Sequence, residues 1–327
     1  MAETRKSEAR PMRVYVRPGS EAERICRRYS AGGAAPTEAP PVADAAAPGF
    51  KPRPALNLRD RQGKIITDLV YTNFFVGGSS WNAQDRDNID NNLAKAMSDQ
   101  GLNNVLVQYF RGAANITSTF RPSTLLSGAP PDRLSQSGIE QLVRQMNANG
   151  KLNGFDFQNT VFNFMLPRGV VLTTDDDDSD DKAEPKKAEP KGETEEAASS
   201  LLGLGGFHGS VRAGGGTRIY YSVGVFSEGD NGIVAFNQSW KNVVATFYHE
   251  LVEARTDADV EEGRVAWVND DVPGQEIGDI PMTLAGGANL GKVMKEVPLS
   301  DGSGTVPIQL MWSNAVSAPE GPIPAPH

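Results

Sequence analysis

The run IITDLVYTNFFV, residues 65–76, is dense in β-branched and aromatic residues and stops at Gly77-Gly78. That composition, closed by turn-formers, predicts a strand and its turn. Over residues 82–99, Ile89, Leu93, Ala96 and Met97 recur at helical spacing, with Ser80 placed to cap the helix and Gly101 to stop it. Residues 104–110 (NVLVQYF) then read as a second strand. Strand, amphipathic helix and strand in succession predict an α/β fold, here a single mixed-sheet domain.

Further along, Ser137 and Glu140 form a capping-box pair that opens a helix over residues 137–149, with Ile139, Leu142, Val143 and Met146 as its apolar stripe. Residues 160–166, 169–173 and 218–226 read as strands, and residues 233–236 as a further short one. A third helix is expected over residues 239–256. Beyond it, Gly and Pro punctuate short apolar runs at 265–268 and 307–312, which predicts irregular structure and one last strand.

Charge is distributed unevenly. Residues 175–196 (DDDDSDDKAEPKKAEPKGETEE) hold eleven acids and four lysines, and so account for seven of the chain's nine net negative charges. The remainder is near neutral, which gives no basis for nucleic-acid binding. The acidic run has nothing to bury and is expected to be a disordered insert, at 174–200 within a domain spanning 55–316. Its aspartates, Asp175 to Asp178, lack the spaced ligands and the glycine of a calcium loop. Residues 1–54, basic and then rich in Ala and Pro, read as a disordered extension in which Met12–Val16 can form a short strand; residues 317–327 read as a tail. The lone Cys26 excludes an internal disulfide. The first thirty residues lack the apolar core of a signal peptide, and no run approaches the ~18 apolar residues of a membrane span, so a cytoplasmic protein without a membrane partner is expected.

The chemistry concentrates in the third helix, at His249-Glu250-Leu251-Val252-Glu253. At 100° per residue, Trp240, Val243, Val244, Phe247, Leu251 and Ala254 form a core stripe, whereas Asn242, Thr246, His249, Glu253 and Thr256 gather opposite it. His249 and Glu253 are therefore neighbours one turn apart, as two ligands of one ion must be, and Glu250 is placed to reach a water beside that ion. The bland alternative is a solvated His-Glu pair worth a few tenths of a kcal/mol. Candidates for a third ligand are the acids after the helix (Asp257, Asp259, Glu261, Glu262), and Glu276 and Asp279 in Gly274-Gln275-Glu276-Ile277-Gly278-Asp279. The glycines there allow close backbone approach. His208, in the turn-like Gly205-Gly206-Phe207-His208-Gly209-Ser210, reads as a ligand, a substrate contact or a turn histidine, and His327 as a mobile terminal residue.

Four blocks in order resemble one family. They are residues 69–76 with the following helix; residues 134–172 around the NGKLNG turn; Gly206-Phe207-His208-Gly209-Ser210 followed by Gly216-Thr217-Arg218-Ile219-Tyr220-Tyr221; and HELVEA with Thr256-Asp257, followed by Glu276-Ile277-Gly278-Asp279. Together they are similar to the Exordium, or phosphate-induced protein 1, family, in its microbial branch. Unlike the plant members, which are secreted, this chain has no cysteine near the histidine block, and Ala258 stands where relatives often carry Pro.

The expectation is a zinc-dependent hydrolase acting on a peptide or other acyl bond. His249, Glu253 and Glu276, with Asp279 as a further candidate, hold the metal. Glu250 is the general base, and His208 or Tyr248 stabilises the developing oxyanion. One histidine with two carboxylates is a harder ligand set than usual, which admits manganese or calcium. The alternative is a non-catalytic binding or signalling module with a structural or vestigial metal site.

Overall fold

The computed structural model describes residues 12–29, 46–174, 197–260, 264–269 and 276–327. The acidic run 175–196 and the Ala/Pro-rich stretch 30–45 lie outside the described residues.

Six strands make one mixed sheet: β1 (Met12–Val16), β2 (Asp68–Phe75), β3 (Thr117–Leu125), β4 (Thr160–Met165), β5 (Leu204–Arg212) and β6 (Arg218–Gly224). Their spatial order is β1-β5-β6-β4-β2-β3. β3, β2, β4 and β6 are parallel, and β5 runs antiparallel to both β6 and β1. Helices α1 (Glu21–Tyr29), α2 (Ala83–Ser98), α3 (Gln100–Leu106), α4 (Gln136–Ala148), α5 (Ser239–Thr256) and α6 (Asp279–Ala285) complete the α/β pattern. On one face of the sheet, Ile89 and Leu93 of α2 and Val243 and Phe247 of α5 share a core with Leu69, Tyr71 and Phe75 of β2. On the other, Ile139 and Val143 of α4 and Ile25 of α1 share a core with Phe162 and Phe164 of β4. A sheet covered on both faces explains why all six residues of β4 are buried. After α6 come two hairpins, β7 (Met294–Pro298) with β8 (Thr305–Gln309), and β9 (Met311–Ser313) with β10 (Ala318–Glu320).

Helix α5 spans the segment expected of it, and α2 and α4 lie within a residue of theirs. Their caps differ: Asn82 rather than Ser80 accepts the Gln84 N–H, and Ser135 rather than Ser137 accepts the Gly138 N–H. Residues 104–110 are not a strand. Asp99 caps α3 by accepting the Leu102 N–H, and every residue of α3 from Gly101 to Leu106 is buried. With no polar face to show the helical period, composition alone misleads there. The strand beside β2 is instead β3, TSTFRPSTL, an exposed edge where Pro122 is tolerated. Residues 233–236 form no strand. The end of the chain is docked: Ala318–Glu320 pairs with β9, the Ile323 N–H donates to Gly101 O, and His327 Nε2 lies 2.9 Å from Glu320. Met12–Val16 does form a strand, and it is the edge of the main sheet, followed by α1.

One register row across the sheet is polar: Arg13 on β1, His208 on β5, Ser222 on β6, Asn163 on β4 and Asn73 on β2. Ser222 Oγ donates to Asn163 Oδ1, Asn163 Nδ2 to Asn73 Oδ1, and Asn73 Nδ2 to Asp90 of α2, each at 2.7–2.8 Å. Each of these four members is hydrogen-bonded, which makes their burial tolerable. The row runs under α2 and α5 and reaches the candidate site at its His208 end.

Arg255, in the last turn of α5, is fully buried. It donates to the carbonyls of Ile66, Thr67 and Thr117 and to Ser118 Oγ, and lies 5.0 Å from the centre of the Phe110 ring. It fastens α5 to the starts of β2 and β3. Arg255→Met retains the volume but leaves those carbonyls without a donor, so urea denaturation should show a loss of about 3 kcal/mol.

Candidate metal centre

The polar side of α5 does not face water. Every residue from Asn242 to Thr256 is buried, because β5, β1, α6 and β8 close over the side opposite the core stripe. Into the space so formed converge Arg13 and Tyr15 from β1, His208 from β5, His249, Glu250 and Glu253 from α5, Asp257 just beyond it, Glu276 and Asp279 at the start of α6, and Gln309 at the end of β8.

His249 is held on three sides. Its ring lies 3.9 Å from that of Tyr15, whose hydroxyl contacts the sulfurs of Met282 and Met294. Its Nδ1 is 3.1 Å from Gln309 Oε1, while Gln309 Nε2 donates to the Gly278 carbonyl at 2.6 Å. That second bond fixes the amide so that its oxygen faces the imidazole, and Nδ1 must carry the hydrogen. Nε2 is then left with a lone pair. It is buried, has no hydrogen-bond partner, and sits 3.1 Å from Glu253 Oε2 and 4.0 Å from Asp279 Oδ1. A lone pair facing carboxylates requires a cation or a proton between them.

Glu253 anchors the set. Its Oε1 accepts the Gly278 N–H at 3.1 Å, and its Oε2 also lies 3.7 Å from His208 Nδ1. His208 Nδ1 is 3.2 Å from Glu250 Oε2. His208 is thus not in a turn: it lies inside the nine-residue strand β5, buried, and its Nε2 has no hydrogen-bond partner. The two histidines and the acids form two groups with ligand atoms close enough to hold an ion, His249 with Glu253 and Asp279, and His208 with Glu250 and Glu253. Glu276 belongs to neither. It faces Arg13 at 3.6 Å and His208 Nε2 at 3.9 Å. Asp279 takes the third place that the spacing suggested for Glu276. Tyr248 is turned away, toward Arg255 and Asp99, whose charges are the ones it feels.

The electrostatics are those of carboxylates crowded out of water. Burial, and then the charge on Glu253, push Glu250, Glu276 and Asp279 well above the usual carboxylate range. Burial pushes Asp257 up to about 6, against the pull of Arg13. Burial opposes the charge on Glu253 too, but His249, His208 and the Gly278 N–H outweigh it and hold its pKa down. Burial lowers His208 to about 4, so it is neutral at pH 7. This charge excess, with the unpartnered Glu250 Oε1, His208 Nε2 and His249 Nε2, is the donor chemistry a cation fits.

The backbone makes room for it. A Cβ at position 278 would overlap the His249 ring and lie 2.9 Å from Glu253 Oε1; one at 206 would lie 3.0 Å from Glu250 Oε1. Gln309, Arg13, Tyr15 and Gly206 were not picked out from sequence. The usable signals were a Gln inside the apolar run PIQLMW, and Arg and Tyr sharing one side of the strand MRVYV.

No family model matches this chain, and no curated protein and no solved structure matches it. Among the described residues, no helix is long and apolar enough to cross a membrane. The chain folds into an α/β domain whose buried His/Glu groups can hold a metal ion. Gly278→Ala, which forces His249 and Glu253 apart, should lower the thermal midpoint by several degrees in a calorimetric scan, whereas Gly291→Ala, in open space, should move it far less.

Proposed function

We propose that the protein is a metal-dependent hydrolase, with zinc as its cation and a peptide or other acyl bond as its target. The observation that carries this reading is the Gly278–Gln309–His249 chain, which engages Nδ1 and aims Nε2 at Glu253 and Asp279. His249, Glu253 and Asp279 hold the cation. Such a cation supplies Lewis acidity and brings the pKa of water toward neutrality. Glu250 adjoins this group, and its Oε1 has no hydrogen-bond partner. It takes a proton from the attacking water and returns it to the leaving group. His208 Nδ1 lies 3.2 Å from Glu250 Oε2 and so orients the base; with Nδ1 engaged there, His208 is not placed to bind an oxyanion. The ordered blocks that resemble the Exordium family contain His208, His249, Glu250, Glu253 and Asp279.

One observation favours a second reading. Among the metal-holding side chains only Asp279 is exposed beyond a trace, at 14%. A sealed donor set suits a structural ion in a binding module. The two readings part on the wild type: the enzyme hydrolyses members of an acyl and peptide substrate panel when zinc-loaded, and the module hydrolyses none.

Glu250→Gln should retain the ion held by His249, Glu253 and Asp279 by elemental analysis and lose hydrolysis by about 10²–10⁴-fold. Glu253→Ala should lose the zinc. Gln309→Leu, which frees the imidazole to rotate and change tautomer, should weaken zinc binding by about 10–100-fold in a competition titration. Wild-type protein that takes up no stoichiometric divalent metal would overturn the assignment.

A further inference from the structure

Glu253 stands where a metal-binding helix of this kind more often carries histidine. A second histidine could coordinate one ion through one nitrogen. A carboxylate oxygen can serve two ions at once. In this fold two imidazoles approach the same atom: His249 Nε2 lies 3.1 Å from Glu253 Oε2, and His208 Nδ1 lies 3.7 Å from it. They come from different elements, α5 and β5. Each brings its own acid: Asp279, 4.0 Å from His249 Nε2, and Glu250, 3.2 Å from His208 Nδ1. The two ligand groups therefore share a single member, Glu253.

We propose that the centre binds two divalent cations bridged by Glu253: one held by His249, Glu253 and Asp279, the other by His208, Glu253 and Glu250. This rests on the metal-centre reading above and extends it. The charge in the cavity agrees. Glu250, Glu253, Asp257 and Glu276 are buried and Asp279 nearly so, and Arg13 is the arginine that pairs with the outer two, Glu276 and Asp257. Fully ionised, the set is four charges negative; one divalent ion leaves half of that uncancelled, and two cancel it. Unpartnered atoms lie on the second group as well as the first: Glu250 Oε1 and His208 Nε2 are buried without a hydrogen bond. Glu250 can serve both roles given to it. Its Oε2 faces His208 and the second cation, and its Oε1 stays free to accept a proton. Paired cations of this kind clamp both the attacking and the leaving oxygen in hydrolysis.

The test is stoichiometry on the full chain. Purified wild type, stripped with chelator and titrated with zinc, should bind two ions per chain by calorimetry and by elemental analysis after desalting. His208→Gln should bind one, with the tighter step preserved, and Glu253→Ala should lose both. Loaded with cobalt(II), the wild type should show an electron paramagnetic resonance signal weakened by coupling between neighbouring ions, and His208→Gln should restore an uncoupled signal. One zinc per wild-type chain overturns the second site and spares the hydrolase reading; no zinc overturns both. Should His208→Gln fail to fold, the wild-type stoichiometry and cobalt spectrum decide alone.

Discussion

A carboxylate kept ionised in the interior, that of Glu253, is the constraint around which this molecule is organised. Charge removed from water is costly unless hydrogen bonds and opposite charge replace the solvent. The Gly278 amide donates to it, and His249 and His208 lie 3.1 and 3.7 Å from its other oxygen, each from a different part of the chain. Bringing the Gly278 amide within 3.1 Å requires a residue without a side chain, and bringing His208 there requires a strand beyond the parallel part of the sheet. The antiparallel addition of β5 and β1 is therefore what distinguishes this sheet functionally. That edge brings His208, Arg13 and Tyr15 to the groups presented by α5 and α6.

The interior contains other polar groups, and comparison with them isolates what is special about the centre. Ser222, Asn163, Asn73 and Asp90 are joined in series, and Arg255 has an acceptor for each of its nitrogens. These groups need nothing further, and their work is to fix strands and a helix in one register. At the His208 end of the same row the satisfaction is incomplete: His208 Nε2, His249 Nε2, Glu250 Oε1 and both oxygens of Glu276 are left without hydrogen-bond partners. A polar row satisfied at one end and open at the other can accommodate a cation at the open end.

The helix that carries the chemistry was legible because its apolar stripe is periodic and its ends are marked; α5 begins and ends where the pattern does. The pairing of His249 with Glu253 follows from that period alone. What could not be read is what lay across from it. The wheel separates an apolar side from a polar one, but a polar side reads the same whether it faces water or a buried centre. Segment β5 was hidden by Gly205 and Gly206, which resemble a turn; they are small because Tyr15 and Glu250 press against them. Strand β3 was hidden by its polarity, which an edge position permits, and α3 by its burial on all sides. Asp279 in place of Glu276 is a matter of three residues in a helix start, which spacing cannot resolve.

The order in which these groups occur along the polypeptide has a consequence for biosynthesis. Arg13 lies far ahead of His208 and His249 in the chain, and Gln309, which fixes the His249 tautomer, follows them. Edge strand β1 waits for β5, some 190 residues later, before it has a partner. A nascent chain therefore cannot assemble this centre until Gln309 has left the ribosome. The centre is thereby tied to the assembled fold, and any cation that binds only that fold stabilises it by mass action against every partly made or partly unfolded form.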